Sequence, residues 1–323
     1  MRTIYPVLLM LSDDWLKYAI RLNVYHEPQD GLSQAEKAAL TDERIRGFLR
    51  DVSDFHAVPV TNHRNPELPI HKLLFLLDLG FGTNVPGIKA AVSEILKHQD
   101  DRGVFQSLTN IPRHFGGTGE NTFSWSLCDA PLLLLALQKA GLDYPRYIKP
   151  GVEYLASLFR DNGFPCAASP ALGGFHGPGR KEDACPYATL IMADLLAHIP
   201  QYRESAAAAS CVEALLSLWE HSLERHPYIF YMGTDFRKLK APSIWYDIVA
   251  VAGVLSKYKA ARADPRFLGM LSLIRGKQGG DGFFTPESVY LKLKNWDFGQ
   301  KKRPSPYLTY LCLRILDRAV GDA

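Results

Sequence analysis

Two stretches of this sequence bring thiols, histidines and carboxylates close enough in the chain to do chemistry together. In one, Arg113-His114-Phe-Gly-Gly leads to Cys128-Asp129; in the other, Gly-Gly-Phe-His176-Gly-Pro-Gly leads to Cys185. Each cysteine stands just before an apolar run with helical spacing, so each is expected at a helix N-terminus. The unpaired N–H groups there favour a thiolate, and a nearby His or Arg favours it further, which prepares a nucleophile or a metal ligand. Two Cys and two His would also suit a tetrahedral zinc ion, although their separations are not those of a compact zinc motif. No cofactor is favoured, and the plainer alternative is two small core residues.

Asp129 and Asp247 fall near the first turn of such runs, with Trp125, Tyr187, Trp245, Tyr246 and Tyr307 nearby. A carboxyl among aromatic and apolar groups has a raised pKa and can act as a general acid; the same carboxyl can instead simply cap its helix. Aromatic faces suit a hydrophobic or cationic intermediate, and they are also ordinary core. The catalytic candidates are therefore His114, Cys128, Asp129, His176, Cys185 and Asp247. Basic residues recur in every connecting loop, and Arg113, Arg180, Arg237 and Lys240 are the expected contacts for an anion. Acidic neighbours such as Glu120, Asp183 and Asp235 offset them in part, as on any solvated surface.

These residues need a scaffold, and a repeat supplies it. Gln99-Asp-Asp-Arg-Gly103-Val-Phe105 and Gln278-Gly-Gly-Asp-Gly282-Phe-Phe284 share Gln-x-x-x-Gly-x-Phe, and Asn162-Gly163-Phe164 is a shorter copy. The period is about 60 residues, with a further copy expected near Tyr228 to Tyr231. Each copy ends an apolar helical run that opens on a proline, at Pro86, Pro150 or Pro265, where the missing N–H costs nothing. The glycine can take the left-handed conformation that a helix end requires. Outer helices are expected over 35–53, 87–98, 151–160, 206–223 and 265–275.

A second run in each unit is apolar on nearly every face, the mark of a buried helix. These inner helices are expected over Trp15 to Tyr25, Pro69 to Leu79, Pro131 to Leu137, Tyr187 to Leu196, Ile244 to Leu255 and Tyr307 to Leu316. No hairpin of this size buries its own face, so the units must stack, and about six close into a ring. The expected fold is all-α, an α/α toroid with about six inner and five to six outer helices in one domain, 1–323. The loops would gather above the inner-helix N-termini, making that rim the expected mouth.

The repeat resembles that of the terpenoid cyclase and protein prenyltransferase superfamily, in which an aromatic residue follows the glycine and the fold is an α/α toroid. The likeness runs from about Ile45 to the C-terminus. It implies a central cavity suited to an isoprenoid-like substrate. The Asp-x-Asp-Asp acid of the triterpene cyclases is absent here. The prenyltransferase zinc ligands are also missing: the order is Cys128-Asp129 rather than Asp-x-Cys, and the last inner helix opens Ser305-Pro306-Tyr307 without histidine.

Composition narrows the function classes. A net charge of +3 over 323 residues, without long basic runs, speaks against a nucleic-acid partner. The apolar stretch Ile4 to Leu11 is too short for a membrane span and lacks a cleavage site. Five cysteines, an odd number in a large chain, fit a cytoplasmic protein. There is no nucleophile elbow, Walker loop or His-Glu-x-x-His. The expected function is an enzyme of cyclase, transferase or lyase type. It would act on a small, partly hydrophobic, anionic molecule in the central cavity by acid/base or thiol chemistry. A non-catalytic binding scaffold and a polysaccharide-processing toroid are the alternatives, and the sequence sets no oligomeric state.

Overall fold

A computed structural model describes residues 4–175, 177, 180–224 and 233–321. The helices are α1 (Ile4–Leu11), α2 (Asp14–Asn23), α3 (Ser33–Ala39), α4 (Glu43–Ser53), α5 (Pro69–Leu79), α6 (Pro86–Ile95) and α7 (Ala130–Lys139). They continue with α8 (Lys149–Ala156), α9 (Pro186–Ala197), α10 (Ala206–Glu220), α11 (Ile248–Leu255), α12 (Lys259–Arg262), α13 (Pro265–Arg275) and α14 (Pro306–Val320). A two-stranded antiparallel ribbon, β1 (Ser107–Thr109) and β2 (Thr122–Ser124), lies between α6 and α7. Among the described residues no helix is long and apolar enough to cross a membrane.

Six helices form the inner ring: α2, α5, α7, α9, α11 and α14, each packed on the next. The ring closes where Trp15 of α2 meets Tyr307 of α14, with ring centroids 5.6 Å apart. Helices α4, α6, α8, α10 and α13 lie outside, and α1 packs against both α2 and α14 at the closure. This is the α/α toroid. The inner helices are buried on most faces: all but one of the twelve residues of α9 are buried.

The repeat has a shared physical basis. Gly103, Gly163 and Gly282 have φ of +81°, +110° and +84°, in the left-handed region that disfavours any side chain. Space is also closed to a side chain: a Cβ on Gly103 would lie 2.5 Å from Pro150 Cβ. The glutamine side chain donates to the carbonyl of the glycine, Gln99 to Gly103 at 3.0 Å and Gln278 to Gly282 at 2.7 Å. In two copies the aromatic residue then links the hairpin. The Phe164 N–H donates to Thr189 Oγ1 and its carbonyl accepts from the Cys185 N–H; Phe284 does the same with Thr309 and Ser305. Tyr228 to Tyr231, where the fourth copy is expected, lie outside the described residues. Just after them Gly233 has φ +77°, and the Phe236 carbonyl accepts from the Ile248 N–H.

Two of the departures from the sequence reading have a visible cause. The outer run 35–53 is broken, because Asp42 caps a new helix by accepting the Arg44 N–H at 2.8 Å. The fifth inner helix starts at Ile248, not Ile244. Residues 241–247 are instead drawn inward as irregular chain, the Tyr187 hydroxyl donates to the Ile244 carbonyl at 3.0 Å, and Asp247 caps α11 through the Ala250 N–H at 3.0 Å.

Candidate functional site

The central space is a channel along the ring axis. Its inner part, about 110 Å³, is walled by Leu74, Leu132, Leu135, Leu190, Ile191 and Leu311, with the inward segment Pro242 to Trp245, His71, Tyr187 and Tyr307 at its inner end. It shares Asp78, Lys139, Asp194 and Ser243 with a wider part of about 330 Å³. That wider part lies between Leu79, His198, Lys257, Arg314 and Arg318. These last residues sit near the C-terminal ends of the inner helices. The open mouth is thus at the end of the ring opposite to the expected one. The reason is local: segment 241–247 fills the axis on the N-terminal side.

Behind the inner end of the channel lies a buried polar group of side chains. Asp129, 1% exposed, keeps one carboxylate oxygen on the Ser126 N–H at 2.8 Å. Its other oxygen lies 3.6 Å from His63 Nε2, and neither of those two atoms has a hydrogen-bond partner among the described residues. The second oxygen of Asp247 is likewise buried and unpartnered. Burial pushes the Asp247 carboxyl up to about 7, against the pull of the Ala250 N–H and of Lys240. Lys240 lies over the Tyr290 ring, 3.4 Å from its centroid, and burial lowers its pKa, with Asp247 opposing and Arg64 assisting. The Trp245 and Tyr187 rings are tilted at 32° with centroids 4.3 Å apart, and the Arg64 guanidinium lies 5.7 Å from the Trp245 centroid. His71 Nε2–H donates to the His63 carbonyl, 2.8 Å away, and burial holds it down at about 4, so it is neutral near pH 7.

The cysteines do converge. Cys128 and Cys185 share a thiol hydrogen bond, which lowers the Cys185 pKa and raises that of Cys128. The Ala188 N–H points at Cys185 Sγ, 3.5 Å away, as expected of a helix N-terminus. The shift favours Cys185 alone, because the Cys128 thiol serves as the donor, and burial opposes it. Cys166, not singled out by its sequence context, lies close to both and accepts the Gly177 N–H at 2.8 Å. All five cysteines are free thiols. Among the described residues no group of three or more His, Cys, Asp or Glu is arranged to hold a metal ion.

Of the other candidates, His114 and Arg113 are exposed on a loop, His114 against Phe115 and Arg113 on the Thr118 carbonyl. His176 lies outside the described residues, and Arg180 is exposed. Arg237 stacks on Trp219 at 4.3 Å, toward the outer layer. Trp125 also faces outward, its indole N–H donating to Asp100 at 3.0 Å. Tyr246 stacks on Phe236. Tyr187, Trp245 and Tyr307 line the channel. The structure thus assembles Cys128, Asp129, Cys185, Asp247, Lys240, Tyr187 and Trp245 in one region, and leaves Arg113, Arg180 and Arg237 away from it.

The sequence reading missed Tyr290, His71 and the charged ring at the mouth. A signal for the latter existed: a charged residue interrupts most apolar inner runs near their ends, at Asp78, Lys139, Asp194, Lys257 and Arg314.

No family model matches this chain, and no curated protein matches it. Solved structures do. A GH76 α-mannanase from Bacteroides thetaiotaomicron aligns over 99% of this chain and 88% of its own, at 12% identity and a TM-score of 0.49. A protein from Actinoplanes aligns over 96% and 91%, at 15% identity and a TM-score of 0.44. The type II terpene cyclase MstE from Scytonema, in complex with geranylgeranyl dihydroxybenzoate, aligns over 95% and 86%, at 11% identity and a TM-score of 0.40. At these values the likeness carries no activity across to this chain.

Proposed function

We propose that this protein is an enzyme acting by acid/base chemistry on a small, partly hydrophobic, isoprenoid-like molecule held in the central channel, with Asp247 as the acid. One observation carries the reading. A carboxyl with a pKa of about 7 and an unpartnered oxygen sits one layer behind the aromatic end of an apolar channel. Asp247 follows Trp245 by two residues and caps the turn whose Ala250 lines the same channel. A group titrating near neutral pH is half protonated where the enzyme works, which suits proton transfer to an apolar substrate. Tyr187 and Trp245 would face the developing cation.

The test is turnover of isoprenoid alcohols and diphosphates of increasing chain length, followed by mass spectrometry across pH. The expected result is product formed in proportion to a protonated group titrating near 7, and reduced by about 100-fold or more in Asp247→Asn. Asparagine keeps the helix cap, so the loss would be chemical. Turnover unchanged in that variant would remove Asp247 as the acid.

A further inference from the structure

The channel mouth carries charges that the acid/base chemistry above does not use. Lys139, Lys257, Arg314 and Arg318 line it, against the carboxylates of Asp78 and Asp194, an excess of two positive charges. Lys139 is paired with Asp78 and Lys257 with Asp194. His198 also stands beside Asp194, at 3.6 Å, but burial and Lys257 hold it at about 4, so it adds no charge near pH 7. Among the described residues Arg314 donates only to the Tyr310 hydroxyl, at 2.9 Å. The Arg318 guanidinium has no hydrogen bond or ion pair among the described residues. Two arginines outside the salt bridges of the mouth therefore face one open cavity, with Asp194 and Asp78 within electrostatic reach of Arg318.

Basic residues near helix C-termini often serve to offset the helix dipole. Here the helix ends are satisfied otherwise. The Leu76 and Leu77 carbonyls accept from the Phe81 and Gly80 N–H groups, Leu137 from Leu142, Leu195 and Leu196 from His198 and Ile199, and Val254 from Lys257. None of the four cations donates its side chain to these carbonyls. The crowding is relieved only in part: burial and then Arg314 hold Arg318 down at about 10, against Tyr310, Asp194 and Asp78, while burial, opposed by Asp194, holds Lys257 at about 8.

We infer that the C-terminal mouth of the ring binds a phosphate-type dianion, the phosphate or diphosphate head of a ligand whose apolar part lies in the channel, with Arg314 and Arg318 as the direct contacts. A planar guanidinium can offer two parallel N–H donors to one phosphate, and two such groups match its charge. The apolar wall from Leu311 to Leu132 continues inward from the same mouth, so one molecule would satisfy both regions. The inference concerns the substrate class of the proposed enzyme, but its binding site is defined independently of Asp247.

The test is isothermal titration of the whole protein with decyl phosphate and with decanol, at low and high salt, with pyrophosphate as competitor. Decyl phosphate is expected to bind, to weaken as salt rises and to be displaced by pyrophosphate, while decanol binds more weakly and without salt dependence. Arg318→Gln and, separately, Arg314→Gln should each raise the decyl phosphate Kd roughly tenfold or more, about 1.4 kcal/mol, and leave decanol unchanged. Melting curves on both variants separate lost binding from lost folding. Equal affinity for the two ligands, or unchanged affinity in both folded variants, would overturn the inference. An inert enzyme that still binds decyl phosphate at the arginines sinks the acid/base proposal alone; isoprenoid turnover with an unchanged KM in both arginine variants sinks this one alone.

Discussion

Asp247→Asn is expected to raise the melting temperature at pH 8 and to leave it nearly unchanged at pH 4. The folded protein holds this carboxyl at about 7, well above its unfolded value of 3.8, chiefly through burial. A carboxyl displaced upward stabilises the fold fully below the unfolded value, and that stability is lost as pH rises through the folded value. The wild type therefore loses stability between about pH 4 and pH 7, while asparagine, neutral throughout, does not. Each pH unit of displacement is worth about 1.4 kcal/mol, so the gain at pH 8 has a ceiling of about 4 kcal/mol. Lys240 lowers that ceiling, because its charge loses a partner in the variant. The cap on α11 survives, since asparagine accepts the Ala250 N–H as aspartate does. Paired melting curves at the two pH values check it. Under the proposed function that cost is the one a buried acid carries; a variant less stable at both pH values would mean the carboxylate is comfortably solvated or paired, and Asp247 would lose its case as an acid.

Trp15→Ala should unfold the ring at its seam. Trp15 is 1% exposed and its ring meets those of Phe75, Trp296 and Tyr307, at 5.9, 5.2 and 5.6 Å, so it joins α2, α5, α14 and the loop before α14. Truncating a buried tryptophan costs about 3–5 kcal/mol through lost contacts and the cavity left behind. The lower part of that range applies, because the indole N–H has no acceptor among the described residues and its removal relieves a buried unpaired donor. At about 2 °C per kcal/mol for a chain of this size, the melting temperature should fall by roughly 6–8 °C. Thermal unfolding by circular dichroism measures it. A fall of only a degree or two would show that α2 is not integral to the ring.

The fold was legible because its signals are local and repeated. Gly103, Gly163 and Gly282 each need a left-handed conformation, the aromatic residue after them needs a buried slot, and Pro69, Pro86 and Pro265 each open a helix at its first residue. Runs such as Pro186–Ala197, apolar on nearly every face, have nowhere to go but the interior. Spacing along the chain could not reveal direction across it. The periodic apolar pattern reads Ile244 as the start of a helix, whereas the tertiary bond from Tyr187 holds that segment in the axis and closes the N-terminal side. With that side closed, Arg113 and His114 stay on an exposed loop, and Asp78, Asp194 and Arg318, scattered over 240 positions of sequence, form the mouth. Asp129, Cys185 and Asp247 were legible as a set because each precedes an inner helix, and the ring brings those starts together.

Whether the central channel is where the ligand sits is tested most directly by a crystal structure of the protein soaked with decyl phosphate. The expected density is a chain running along the ring axis between Leu132 and Leu190, its end against Tyr187 and Trp245, with the phosphate between Arg314 and Arg318. Density at the N-terminal loops around Arg113 or Arg237, with the channel holding only water, would contradict it.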